Sequence, residues 1–317
     1  MKRHPDEGLS EVVGFVLLLA LIVAAFSLWM TYTVPANGRE IEISQMNLIE
    51  SQFTNYKATL DTLLAGNESG VTTSTSFPIG TLGGNTQVAG LQIPMMQPIG
   101  SIAQVSLNST GDTITVSGSS SQNDTTVTSQ FPLAMTSLSY QSYNNYWIQQ
   151  QLYYQMGGVF LSQTDGVTNR IAPPISIYPS TSNTTSVNIV LVQLDGSRTI
   201  SGSGNVRVDT RLRSLPQYNI STNVSYFQNK WVSISVNVKD NKTASTWSRI
   251  FRSAASREGL NTSWYTITTS TNATSGRGTA TILINGADST NVQNDVLLTV
   301  TRAEYLVTLN DVSTNVN

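Results

Sequence analysis

The chain has 317 residues, a formal net charge of −2, and charged side chains at only 11% of positions, against about 25% in an average domain. Its surface is therefore polar but nearly uncharged. That excludes the basic face nucleic-acid binding needs, and the acidity is too mild for a protein kept soluble in saturated salt. Cysteine is absent and His4 is the only histidine. Disulfides, thiolate catalysis, Cys-ligated zinc and His-based triads or metal sites beyond residue 4 are excluded with them.

Residues 12–30, VVGFVLLLALIVAAFSLWM, form an apolar run broken only by Gly14 and Ser27. At 1.5 Å per residue, such a run spans the hydrocarbon core of a bilayer as a helix. Trp29 and Tyr32 stand at its far end, where amphipathic rings favour the interface. Lys2 and Arg3 precede it, so the positive-inside rule puts the N-terminus in the cytoplasm and residues 40–317 outside. A cleaved secretory signal would end on small residues, but Ser27-Leu28-Trp29-Met30-Thr31-Tyr32 is mostly bulky. A plain signal anchor fits the run itself.

The residues ahead of the run add a third reading. Glu7-Gly8-Leu9-Ser10-Glu11-Val12-Val13-Gly14 resembles the processing site of archaeal type IV pilin-like proteins (class III signal peptides), in which a charged and a small residue precede the cut and the apolar helix follows directly. The Ser10–Gly14 run also looks like the start of many archaeal pilins, although an acidic residue stands before Gly8 where a basic one is commoner. The resemblance covers about 25 residues. It implies cleavage between Gly8 and Leu9 by a membrane aspartyl prepilin peptidase, residues 1–8 being a leader. It also implies membrane lipid as the first partner of the helix and other pilin subunits as later ones. Glu11, a carboxylate at the edge of the apolar run, either lies wet among headgroups or pairs with the freed α-amino group of Leu9 on a neighbouring subunit. Loss of residues 1–8 leaves the net charge at −2 and removes the sole histidine.

Val34-Pro35-Ala36-Asn37-Gly38 predicts a break after residues 9–34, since proline lacks an amide donor and Asn-Gly favours a turn. An amphipathic helix then follows within residues 35–66. Its stripe is Met46, Ile49, Phe53, Tyr56, Leu60 and Leu63, and Gly66-Asn67 stops it. The stripe packs either on the chain's own head or along a seam between subunits.

Residues 67–317 read as a β-rich, sandwich-like extracellular head, giving an α+β protein with one short helix. Residues 113–116, 187–194, 206–212 and 231–238 have strand patterns between Gly, Asn, Asp and Ser clusters. Residues 295–308 are the longest strand candidate, with 279–284 as its preceding partner. Residues 244–258 predict the helix, with Trp247, Ile250, Phe251 and Ala254 on one face and Gly259 as stop. The low-complexity stretch 117–129 is either a long loop or a boundary between two β-parts.

Nine Asn-x-Ser/Thr sequons lie beyond the apolar run: Asn67, Asn108, Asn123, Asn183, Asn219, Asn223, Asn241, Asn261 and Asn272. They are glycosylation candidates on an exterior chain. The aromatic stretch Tyr140, Tyr143, Tyr146, Trp147, Tyr153 and Tyr154 either packs the head or stacks on a sugar or partner surface. No carboxylate pair, Asp-rich calcium loop or phosphate-binding glycine loop singles itself out. No enzyme activity, cofactor or metal is expected. The first functional expectation is a structural subunit of an archaeal type IV pilus-like filament, with a large head that suggests a minor or specialised pilin. The alternative is a non-polymerising single-span surface adhesin, with a surface or glycan ligand for its head.

Overall fold

The structure is a computed structural model, and it describes residues 6–81, 87–88, 91–92, 97–122, 125–181, 184–213, 227–285 and 295–311. The chain opens with helix α1 (Asp6–Leu28), a π-helical turn (Trp29–Thr33) and helix α2 (Val34–Ala65). These run on without a break, a rod of about 90 Å at 1.5 Å per residue. The interruption expected at residues 34–38 is therefore corrected. In the π-turn the Val34 N–H reaches back five residues to the Trp29 carbonyl. The extra residue falls just where Pro35 lacks an amide and crowds the preceding turn, so the helix absorbs the proline instead of ending. Gly38 likewise makes no turn. It is buried against Tyr146, and a Cβ there would stand 2.3 Å from that ring.

The predicted stripe of α2 is buried in full, and it packs on the protein's own head. Upstream it continues through Val34, Gly38 and Glu42. The helix stops where expected, with Asn67 taking the left-handed conformation at φ 48°.

The head is built from β1 (Thr72–Ile79), β2 (Gln87–Val88), β3 (Leu91–Gln92), β4 (Ile102–Gln122), β5 (Thr125–Tyr143), β6 (Gln150–Gln155), β7 (Gly158–Gln163) and β8 (Gly166–Ile171). It continues through β9 (Ile175–Thr181), β10 (Thr184–Asp195), β11 (Arg198–Gly202), β12 (Gly204–Leu212) and β13 (Phe227–Val238). Helix α3 (Asn241–Arg257) and strands β14 (Tyr265–Thr271), β15 (Gly278–Asn285) and β16 (Asp295–Asp311) complete it. Every segment read as a strand is one, and α3 has the predicted inward face and its stop at Gly259, φ 71°. The fold class is α+β as expected.

Strand order along the main sheet is β1-β12-β16-β13-β4-β5-β6-β7-β8, with further strands branching off it. Residues 279–284 do not partner β16; their strand β15 lies between β13 and β14. One edge of β16 is taken by β10 in parallel, from Thr184↔Asp295 to Asp195↔Leu306. Its other edge is shared by β13 near the start and β12 near the end. The stretch 117–129 is neither loop nor boundary in the described residues. It lies on the two arms of the β4–β5 hairpin, paired from Ser117↔Gln130 to Gln122↔Thr125.

Two hydrophobic cores share the long strands. One collects around α3 and the other around α2. Strand β16 gives Val296, Leu298 and Val300 to the first and Ala303, Tyr305, Val307 and Leu309 to the second. Side chains alternate faces along a strand, so this change from even to odd positions means the cores lie on opposite faces. Strands β5 (Leu133, Met135, then Leu138, Tyr140) and β10 (Ile189, Leu191, then Val192, Leu194) change over in the same way. On β4 the change coincides with an irregularity between Ser109 and Thr113. Gly111 there takes φ 74°. The nearly buried Asp112 bonds Arg277 at 2.8 Å, and Arg277 also bonds the Gly111 carbonyl.

Candidate functional site: an exposed apolar helix

Side chains of α1 from Val12 to Leu28 stand free of the head. Leu21 is 71% exposed, Phe15 66% and Leu17 65%. Eleven large apolar side chains between Val12 and Leu28 are exposed in this way. Burying each is worth about 1.5–3 kcal/mol, so leaving them in water forgoes more than the whole stability of an ordinary domain, about 5–15 kcal/mol. The segment is therefore built to sit in another apolar medium. It is one helix long and apolar enough to cross a membrane.

The processing residues Gly8 and Leu9 lie within the first turns of α1. Glu11 follows on the exposed surface of the same helix, with no hydrogen-bond or ion-pair partner among the described residues.

The helix is fixed to the head by a junction at residues 38–46, which sequence reasoning missed. The Glu42 carboxylate is 2% exposed and accepts hydrogen bonds from the Asn145 N–H (2.6 Å) and the Tyr146 N–H (2.9 Å). Charge-assisted bonds of this kind are stronger than neutral ones. The Arg39 guanidinium lies 4.1 Å above the Trp147 ring. Gln45 donates to the Pro78 carbonyl at 2.9 Å and more weakly to the Tyr140 hydroxyl. The spacing Val34, Gly38, Glu42, Met46 would have revealed this face, had a glycine and a glutamate been admitted to an apolar stripe.

Further along, aromatic rings hold α2 down. Phe53 packs on Phe77, and Tyr56 meets Tyr154 edge-on at 5.4 Å. The Tyr305 hydroxyl donates to the Leu60 carbonyl at 2.7 Å. Burial pushes the phenols of Tyr56, Tyr140, Tyr153, Tyr154 and Tyr305 above their ordinary range. Hydrogen bonds to Thr210 and Gln45 oppose the shift at Tyr56 and Tyr140. Most of the aromatic stretch thus packs the head. Tyr143 is 41% exposed, and Tyr146 and Trp147 are half-buried at the junction.

Five sequon asparagines, Asn67, Asn108, Asn241, Asn261 and Asn272, are exposed. Asn123, Asn183, Asn219 and Asn223 lie outside the described residues. The Asn261 amide oxygen accepts from the Ser263 N–H and Oγ, and that of Asn272 from the Thr274 and Ser275 N–H groups. The sequon of Asn241 differs, because its Thr243 is buried in the first turn of α3.

Among the described residues, no group of three or more His, Cys, Asp or Glu side chains is gathered as a metal site would require. A cleft between the β7–β8 turn and α3 is lined by Asp165, Lys242 and Arg249. Lys242 is engaged with the Thr164 carbonyl, and Arg249 with the Val167 carbonyl and the Thr246 hydroxyl. Comparison with protein-family models, curated proteins and solved structures gives no match.

Proposed function

We propose that the chain is a structural subunit of an archaeal type IV pilus-like surface filament, specialised by its large head. It assembles through its N-terminal helix after a prepilin peptidase removes residues 1–8. The observation that carries this reading is the apolar helix standing clear of the head behind the Glu7-Gly8-Leu9 motif. Before assembly α1 is an anchor, with Lys2 and Arg3 on the cytoplasmic side and the head outside. In the filament the same surface packs on helices of other subunits. Nothing in the helix has to be rebuilt between the two, because lipid tails and leucine side chains are equally apolar. Glu11, without a partner among the described residues of its own chain, then pairs with the α-amino group of Leu9 on a neighbour. The exposed sequons carry glycans on the outer surface, and the head has a structural and adhesive role without catalysis.

The test is the mass of the mature N-terminus together with electron microscopy of sheared surface material. A start at Leu9 in filaments containing this chain is expected. An intact Met1 in membrane-extracted protein overturns the reading, and a Leu9 start with no filament favours the single-span adhesin. Glu11→Ala is expected to abolish assembly while the cut at Gly8 proceeds.

A further inference from the structure

Beside the middle of α2, the core beneath the helix stops short of the surface and leaves a cavity of about 180 Å³. Its floor is apolar, made by Met46, Leu152 and Leu161 of the α2-side core. Trp147 forms a wall, its ring held by the Arg39 guanidinium. Glu50 and Arg170 line the cavity as an ion pair at 3.5 Å, and Asn47 lines it from the exposed side of α2.

Gln150 sets this cavity apart from a packing gap. It is only 9% exposed, and it stands on the same face of β6 as Leu152 and Tyr154, towards α2. Its backbone is bonded to Gln141 and Ser142, but its side-chain amide has no hydrogen-bond partner among the described residues. A buried amide left without partners is costly. This one lines the cavity, where a ligand can satisfy it.

The lining fixes the class of that ligand. Gln150 and Asn47 each offer a carbonyl oxygen and an amino group, Glu50 accepts and Arg170 donates. The ligand must therefore carry donors and acceptors side by side. The charges of Glu50 and Arg170 cancel, which favours neither an anion nor a cation. The floor and Trp147 call for an apolar face. The volume is below the roughly 300–1,000 Å³ of pockets that enclose drug-sized molecules, so one small ring fills it. A pyranose meets all these demands: hydroxyls that donate and accept around its edge, a face of C–H groups, and no charge.

We infer that this cavity is a saccharide-binding site for one neutral hexose ring. The C–H face of the sugar lies on Trp147 and the floor, and its hydroxyls bond Gln150, Asn47 and the Glu50–Arg170 pair. The site is built by α2 and the head alone, so it stands whether or not the chain polymerises. The test is saturation-transfer NMR on the full chain in detergent micelles, irradiating aromatic protons. The probes are the methyl glycosides of galactose, mannose and N-acetylglucosamine, with adenosine beside them. Each is titrated to about 100 mM, enough to saturate a site with a Kd of about 10 mM. Expected is saturable transfer to the ring protons of at least one sugar. Gln150→Met keeps the length of the side chain and removes its amide, and should weaken binding about tenfold, the effect of one buried hydrogen bond. If Gln150→Met melts below the parent, Asn47→Ala, at an exposed position, carries the same test and should also weaken binding. No saturable transfer to any sugar overturns the proposal. So does sugar binding of parental strength in both variants, which places the site elsewhere. Binding of adenosine and of no sugar assigns the cavity to a flat aromatic ring and overturns it as well.

Discussion

Gly38 shows how one residue type carries two opposite meanings. In sequence, Asn37-Gly38 signals a turn; in the structure the missing side chain makes room for a ring. Gly38→Ala gains about 1 kcal/mol of helix propensity, but its Cβ meets three atoms of Tyr146 at 2.3–2.7 Å. Overpacking of that kind costs about 1–3 kcal/mol, and the Tyr146 ring is tethered through its hydroxyl, so the clash wins. The expected result is a lower melting temperature, read by near-ultraviolet circular dichroism. A melting temperature at or above that of the parent would show that the ring moves away freely. The buried phenols make a second prediction. Their folded-state pKa values lie above the ordinary 10.0, so the native state keeps protons that the unfolded chain releases. Stability is therefore intact below about pH 10 and lost as pH rises beyond it, by up to about 1.4 kcal/mol per tyrosine per pH unit. Urea unfolding at pH 9, 10 and 11 should give a flat and then falling midpoint, while a midpoint constant through pH 11 would contradict the burial of these hydroxyls.

At the scale of elements, the strongest signals were periodic ones. The α2 stripe alternates steps of three and four, and it is buried where that spacing demands. Phe53→Ala should cost about 3–5 kcal/mol, whereas Leu48→Ala, at a 44% exposed position, should stay within about 0.5 kcal/mol. Chemical denaturation of the two variants checks this, and equal losses would mean that Leu48 is covered in solution. The break at Pro35 was misjudged because the cost of a proline depends on the hydrogen-bond ladder around it. A one-residue π-insertion removes that cost, and no local sequence rule announces it. The partner of β16 was missed for a related reason. Strand β10 starts more than a hundred residues earlier, and parallel pairing at that distance has no turn to mark it.

For the whole molecule, the decisive feature is that the cores share strands. Apolar runs such as 187–194 blur the alternation expected of a half-buried strand, because the buried face changes midway. A split of the head near 117–129 would allow two independent unfolding units. Shared β4, β5, β10 and β16 predict one. Trp247→Ala in the α3-side core and Phe53→Ala in the α2-side core should each lower the same single calorimetric transition. Two resolved transitions, each moved by only one variant, would refute the coupling.

The sequence by itself determined the apolar helix, its amphipathic continuation, the strand-rich head, the α3 face, the absence of thiol chemistry and the absence of any histidine beyond residue 4. These depend on composition and on spacings of two to four residues, which local geometry reads directly. Only the tertiary structure decided that the helix passes through Pro35, that Glu42 and Gly38 belong to its buried face, and that two cores exchange strands. It also decided that Ile99, Ile102 and Ile148 are left exposed. Each of these depends on what a distant segment places against a residue, such as the Tyr146 ring against Gly38 or the Asn145 amide against Glu42. The motif at Gly8 and Leu9 stands apart from both, because what cleaves there and what packs on α1 afterwards are properties of partners outside the chain.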